Sequence, residues 1–294
     1  MRRKVTAGEH TALLANYAFF LVLIACMLAP ILMLVAKSVS SERAILSGMV
    51  GILPDFTDLK FEAYRYVMEN KSFMQGFFNT VVVTLLGSLM AIAITSLAAY
   101  AVSKPYLRGR TAMVVLSIFT MIFSGGLIPT YLVINMLGLV NTFQILWLAG
   151  VFSTTNMLIL KSTFESVPRE LEEAAVIDGE GQAGMLWRVY LPVSKASLAV
   201  ITLFYAVEYW NNYYTSMIYT TRPQLRSLQL VLKDIIYSAS DVFLELHGTH
   251  AFGEITAQST IAACVVVATV PILIAYPFLQ KHFTKGVMIG SVKG

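Results

Sequence analysis

The sequence predicts an all-α integral membrane protein with six transmembrane helices, and three observations carry that reading. First, six apolar runs each approach the roughly 20 residues needed to cross about 30 Å of hydrocarbon; they lie at 14–36, 77–101, 111–133, 143–164, 193–215 and 259–280. Second, hydrophobic residues make up 57% of the chain and charged residues 13%, with a mean hydropathy of +0.70. That balance suits a bilayer better than a large water-soluble core. Third, the lysines and arginines are distributed unevenly between the two sets of connections. With the N-terminus inside, the inner segments hold 13 of the 21 and the longer outer segments hold 8, so the positive-inside rule places both termini in the cytoplasm.

Residues 1–13 form a short inner tail carrying Arg2, Arg3 and Lys4. That basic start, the apolar run behind it and Leu23-Ile24-Ala25-Cys26 imitate a cleaved lipoprotein signal. The run continues from Met27 to Val35, long enough to span, so the expectation is an uncleaved first helix. The connection 37–76 is expected outside. Within it Phe61, Tyr64, Val67 and Met68 follow helical spacing and predict a short amphipathic helix. Cys26 and Cys264 each sit inside an apolar run and read as small buried hydrophobes, not as a disulfide or metal pair. The third run contains Gly125-Gly126 followed by Pro129, a combination that loosens a helix at membrane depth. Close helix packing through small residues explains the same glycines equally well.

Between the fourth and fifth runs lies a charge-rich stretch, 165–192, that does not read as membrane-embedded. Ser166 is a candidate cap and Pro168 suits a first turn. Glu170, Glu172 and Glu173 stand where the positive end of a helix dipole favours carboxylates. At about 100° per residue, Val167, Leu171, Ala174 and Ala175 share one face and Arg169, Glu170, Glu172 and Glu173 the other. Asp178-Gly179 breaks the helix, and a second run from Gln182 to Leu191 is expected to end at Pro192. The product is an amphipathic bracket with a small-residue face suited to a groove on another protein.

Glu173-Ala174-Ala175, then Gly179, then Leu191-Pro192 resembles the EAA signature of importer-type ABC transporter permeases. Phe123–Tyr131 (FSGGLIPTY) and the Trp210-Asn211 pair resemble the oligosaccharide branch, of the kind that includes maltose-type second permeases and aldouronate-polysaccharide importers. The resemblance covers most of the chain and is best over 75–294. It implies the type I ABC importer fold, with a permease core over 77–280, an outer loop at 216–258 and a cytoplasmic tail at 281–294. It further implies that Glu173, Ala174, Ala175, Asp178, Gly179, Leu191 and Pro192 couple the chain to an ATPase. The partners it implies are a second homologous permease, two ATPase subunits that hold the ATP and Mg, and an extracellular sugar-binding protein. Leu225–Asp234 resembles the segment after the fifth span, whose outer loop reaches into that binding protein. Lys285, Gly286, Gly290 and Lys293 lie in a segment resembling the tail that tucks between the ATPase subunits. The location implied is the bacterial cytoplasmic membrane.

The fifth run carries the most informative polar residues. Tyr205, Glu208, Asn211, Asn212 and Thr215 are expected on one helix face in its outer half, with Trp210 beside them. Glu208 would stand roughly 23 Å above the inner end. A lipid-facing acid at the bilayer centre costs about 2.5–3.5 kcal/mol, so Glu208 should face a partner or a wet path. Phenols, amides and aromatic rings are what sugar hydroxyls and C–H faces bind, and an interfacial aromatic belt is the competing reading.

No Gly-x-x-x-x-Gly-Lys-Ser/Thr loop is present; Gly248 to Gly253 is followed by Glu254. ATP hydrolysis therefore falls to partner subunits, and this chain is read as a transport component without its own cofactor or catalytic centre. Basic residues scattered at the ends of apolar runs make no nucleic-acid face. A secondary transporter would want internal repeats and midplane charges, and only Glu208 qualifies. An intramembrane enzyme would want a facing nucleophile and base or a metal triad, which the scattered His10, His247, His250 and His282 do not supply. His247 and His250, three apart, read as chance and not as metal ligands. The expected function is uptake of oligosaccharides; a monosaccharide or glycerol-phosphate system is the alternative.

Overall fold

The computed structural model describes residues 7–238 and 257–290, and these are helical apart from turns and a single antiparallel bridge, Ser40 to Leu59. The chain divides into two compact units, one built from the first 71 residues with Leu232–Thr269, the other from Ser72–Val231 with Val270–Gly294. His247 and His250 lie outside the described residues, as does most of the 216–258 loop beyond Ser238.

In the first unit, α1 (Ala7–Ser38) takes in the first apolar run and is long and apolar enough to cross a membrane, and its apolar side chains stand exposed around the helix, Cys26 included. The expectation of a buried Cys26 is therefore corrected; Cys264, by contrast, is buried. Below α1 the chain turns through α2 (Glu42–Leu46) and α3 (Glu62–Glu69). The hydroxyls of Ser38 and Tyr64 meet at 2.7 Å, and Ala36, Ala44 and Val50 form a small cluster. The amphipathic helix is present, but its buried face is Ala63 and Val67, while Phe61 and Met68 are exposed.

The second unit is built on α4 (Lys71–Ser103), six residues longer at its start than the run 77–101. Its buried stripe is mostly small or polar side chains, among them Gly76, Thr80, Gly87, Ala91, Thr95 and Ala99, with Phe73 and Tyr100 as the large side chains near its two ends. Leu85, Leu86, Leu89 and Leu97 are exposed. This inverts the pattern of a water-soluble helix, because lipid is as apolar as leucine and helices associate by close backbone approach.

The third run is not one helix. α5 (Arg110–Ile122) and α6 (Leu127–Met136) meet at 115° across the break at Phe123–Gly126, where Gly126 has φ +86°, a conformation that suits glycine. The fourth run is also broken. α7 (Ile145–Leu148) is a single turn, and only α8 (Thr154–Glu165) is a sustained helix. Its 12 residues span about 18 Å. Gly150 lies in the irregular stretch between them and faces the ring of Tyr209 at 3.2 Å from where a Cβ would sit. α9 (Arg169–Ile177) and α10 (Gln182–Val193) make the bracket. α11 (Lys195–Asn211) follows after an 87° bend at Ser194, and α12 (Tyr214–Tyr219) after a break at Asn212–Tyr213. α13 (Leu228–Ser238) and α14 (Ala257–Gly290) complete the chain, α14 running ten residues past the run 259–280 into the expected tail. Among the described residues, three helices are long and apolar enough to cross a membrane alone, and the two bent pairs raise that to five.

Tyr209 locks α11 to α4. Its ring lies 2.7 Å from where a Cβ on Gly87 would stand, and its hydroxyl donates to the carbonyl of Trp147 at 2.7 Å. Introducing a methyl group at Gly87 forces the ring to move. Gly87→Ala is expected to destabilise the protein by about 1–3 kcal/mol, measured as a fall in the detergent-solubilised unfolding temperature that Gly51→Ala, in open space, does not produce.

Candidate functional site: the bracket and the face of the fifth span

The bracket starts without a side-chain cap. Pro168, at φ −57° and ψ 135°, precedes the helix, and Ser166 ends α8 instead, donating to the carbonyl of Thr163. The expected Ser166 cap is thus corrected: Ser166 and Val167 continue the last turn of α8, with Val167 N–H donating to Phe164, and the chain leaves that turn at Pro168, so the hydroxyl finds α8 first. The C-terminus of α9 closes as sequence chemistry requires. Gly179 adopts φ +81°, its N–H donating to Val176, while Glu180 N–H donates to the Ala175 carbonyl at 2.9 Å. This double bond is a Schellman closure, which needs a residue without a Cβ at the left-handed position. Asp178 occupies the cap just before it.

The face that α9 turns inward differs from the expected apolar one. Ala175 is buried, but Leu171, Ala174 and Glu173 are exposed, as are Val176 (59%) and Ile177 (85%). What binds α9 to its own chain is polar. Lys104, at the end of α4 and with a side chain only 5% exposed, donates to Glu172 Oε1 and to the Tyr190 hydroxyl, both at 2.7 Å. Tyr190 in turn donates to Glu172 Oε2 at 2.7 Å. The ammonium lies over the Tyr190 and Tyr100 rings, 4.1 and 4.7 Å from their centroids. Tyr100 donates to the Gln182 side chain at 2.8 Å, and Phe164 packs edge-on against both tyrosines. Beside this triangle opens a groove of about 410 Å³, with Arg110, Glu165, Arg169, Glu172 and Glu173 on its walls. Arg110 and Lys161 both hold Glu165, and Arg188 holds Glu180.

Pro192 does not end the second run. Residues Met185–Tyr190 are wound as a π-helix, and helix geometry continues through Leu191 and Pro192 to Val193. The wider turns change which carbonyls are paired, so a proline lacking its N–H fits, and the chain bends two residues later at Ser194.

On the fifth span, the expected single polar face is split. Tyr205 is fully buried; its hydroxyl shares a 2.6 Å bond with Thr95 and accepts from Ser153 N–H. Trp210 is buried edge-on against Phe77. Asn212 leaves the helix and its side-chain oxygen accepts from Thr215 N–H, so Thr215 is placed on α12 and buried. Glu208 and Asn211 remain together on the exposed side. The break at Asn212 is what rotates Thr215 away from them.

Behind this span, residues that the sequence did not single out staple the following segment to α4. Asn79 donates to the carbonyls of Gln224 (2.7 Å) and Arg226 (3.0 Å), Gln75 supports Asn79, and Thr80 accepts from Leu228 N–H. Gly76 leaves room for Leu228 and Val231. An amide at 79 inside an apolar run was the available signal. Nothing near Lys104 in sequence marks its partner 68 positions on, and at the end of a run it reads as an ordinary positive-inside anchor. Of the tail residues, Lys285, Gly286 and Gly290 lie within α14, and Lys293 lies outside the described residues.

A helical membrane chain with a broken third span and a charged bracket before its fifth has close counterparts among known proteins. It superposes on the crystal structure of a bacterial ABC transporter involved in import of the acidic polysaccharide alginate. The TM-score is 0.88, with 31% identity over 96% of this chain and 99% of that one. The class is therefore that of an ABC importer permease. In sequence it is 36% identical to the polygalacturonan/rhamnogalacturonan transport system permease protein YtcP of Bacillus subtilis (strain 168), over 95% of this chain and 96% of the relative. It is 37% identical to the protein LplC of the same organism, over 90% and 89%. No protein-family model matches the chain. The chain belongs to the sugar ABC transporter permease family.

Burial alone would push the Glu172 carboxyl up, but the hydrogen bonds from Lys104 and Tyr190, with the charges of Lys104 and Arg169, outweigh it and hold Glu172 below the ordinary carboxylate value. A carboxyl depressed in the folded state contributes stability that is present above its unfolded pKa and lost as the pH falls through its folded one. Amide-exchange protection of 169–177 is thus expected to hold from neutral pH down to the ordinary carboxylate value and to fall below it. Glu172→Gln should remove that acid-dependent loss by lowering protection at all pH values.

Proposed function

We propose that this chain is one half of the membrane path of an ATP-driven importer that takes up oligosaccharides, those rich in uronic acids foremost. In this reading both termini and the bracket face the cytoplasm, and the apolar runs cross the membrane six times, two or three of them as broken helices. The chain pairs with a second permease, and two ATPase subunits supply the ATP and Mg. An extracellular binding protein delivers the sugar. The substrate class is supported by the names of its relatives: polygalacturonan and alginate are both polymers of uronic acids.

The observation that carries the coupling role is the outward face of α9. Leu171, Ala174 and Ile177 are uncovered on a helix that is closed at its C-terminus by the Gly179 turn and held from behind by Lys104 and Tyr190. A nine-residue helix is marginal alone, and a protein groove that covers this face would stabilise it. On ATP binding, closure of the ATPase pair would pull the bracket and turn the spans from inward- to outward-facing. Glu208 and Asn211 are our candidates for the sugar-facing wall; Tyr205, Trp210, Asn212 and Thr215 shape that wall from within or behind. The helical extension of α14 to Gly290 would bring Lys285, Gly286, Gly290 and Lys293 toward the ATPase pair.

Gly179→Ala, which strains the left-handed closure, and Glu173→Lys, which reverses a charge on the groove wall, are each expected to leave membrane insertion intact. Uptake of labelled oligogalacturonate by cells should fall below about a tenth of wild type, the size of loss that about 1.4 kcal/mol of coupling represents. Normal uptake in both variants would refute the docking role of the bracket.

A further inference from the structure

The proposed coupling leaves open how a pull on α9 reaches the membrane spans, since α9 buries only Ala175 against its own chain and turns Leu171, Val176 and Ile177 outward. An apolar seam that thin transmits little. The polar triangle behind it has a different character. Lys104 is the residue next after α4, Glu172 is in the middle of α9, and Tyr190 ends the π-helical turn that leads into α11. All three bonds of the triangle measure 2.7 Å, and the ammonium is enclosed by two aromatic rings. Charge-assisted bonds of this kind are directional and resist sliding in a way that dispersion contacts do not. Resting on the coupling role proposed above, we propose that Lys104, Glu172 and Tyr190 are positioning residues that fix the bracket simultaneously to the second and fifth spans, so that one displacement of α9 moves both.

Each member is suited to its place. Lysine supplies three donors from a single point, and two of them are engaged on Glu172 and Tyr190. Glu172 uses both oxygens, one toward α4 and one toward α10. Tyr100 adds a second tie from α4 to α10 through Gln182. The neighbouring charges Arg110, Glu165 and Arg188 are paired among themselves or with Lys161 and Glu180, and Arg169 adds its charge near Glu172 while Lys104 makes the hydrogen bond.

The test uses the complete importer, reconstituted in vesicles with its ATPase and binding protein, and compares basal ATP hydrolysis with hydrolysis stimulated by sugar-loaded binding protein. Lys104→Met and Glu172→Gln are expected to retain assembly and basal hydrolysis while the stimulated-to-basal ratio falls by about tenfold or more. Lys104→Arg, which keeps the charge between the rings, should recover most of that ratio. Should Lys104→Met fail to assemble, Tyr190→Phe keeps the ring packing and removes one bond of the triangle; a several-fold drop in the ratio is expected. A wild-type ratio in Lys104→Met, or in Tyr190→Phe where that variant is used, overturns the proposal. These outcomes are separable from a failure of the coupling role itself, in which wild-type hydrolysis would show no stimulation and both Gly179→Ala and Glu173→Lys would leave uptake unchanged.

Discussion

The structure depends on how closely other segments can approach α4. Its buried stripe of Gly76, Thr80, Gly87, Ala91, Thr95 and Ala99 offers backbone and short side chains where a soluble helix would offer leucine. In lipid the apolar side chains gain nothing by turning inward, so shape and hydrogen bonding decide which face meets protein. Near one end of this stripe Asn79 and Thr80 hold the segment after the fifth span. In the middle Gly87 takes the Tyr209 ring and Thr95 takes the Tyr205 hydroxyl. At the other end Tyr100 and Lys104 hold the bracket. One helix thus registers everything that the proposed function requires to move or to stay.

The bracket inverts the usual relation between apolar and polar contact. In α9 Leu171, Val176 and Ile177 point away from the chain and Ala175 alone is buried, while a lysine, a glutamate and a tyrosine bind the helix from behind. Burying an ion pair costs desolvation, and such pairs are weak arguments for stability in themselves. Here Glu172 keeps partial contact with water while its partner is enclosed, which lowers that cost and leaves direction and register as what the pair contributes.

Much of this arrangement was legible in the sequence. The apolar runs, the Asp178-Gly179 break and the spacing from Glu173 to Pro192 define the bracket because they rest on local chemistry: length, hydropathy and the need for a left-handed residue. The weakness at Gly125-Gly126 was also visible, though not its 115° outcome. What the sequence hid depends on partners far along the chain. Helical periodicity put Tyr205 and Thr215 on one face with Glu208. It could not show that Tyr205 would be claimed by Thr95, 110 residues away, or that Asn212 would turn the backbone before Thr215. The fourth run carries enough apolar residues for a span, yet Gly150 opens the helix to admit the Tyr209 ring. Pro192, a reliable stop in an α-helix, sits inside a helix because the preceding turns are wound more widely.

The Tyr209 wedge has a mechanical consequence. Glycine stands on either side of the ring at positions 87 and 150, and its hydroxyl is tied to the backbone of Trp147, so the ring sits between two stretches of bare backbone. The second and fifth spans are thereby riveted into one strut at mid-height. Glu208 and Asn211 stand on the uncovered side of α11, clear of this wedge.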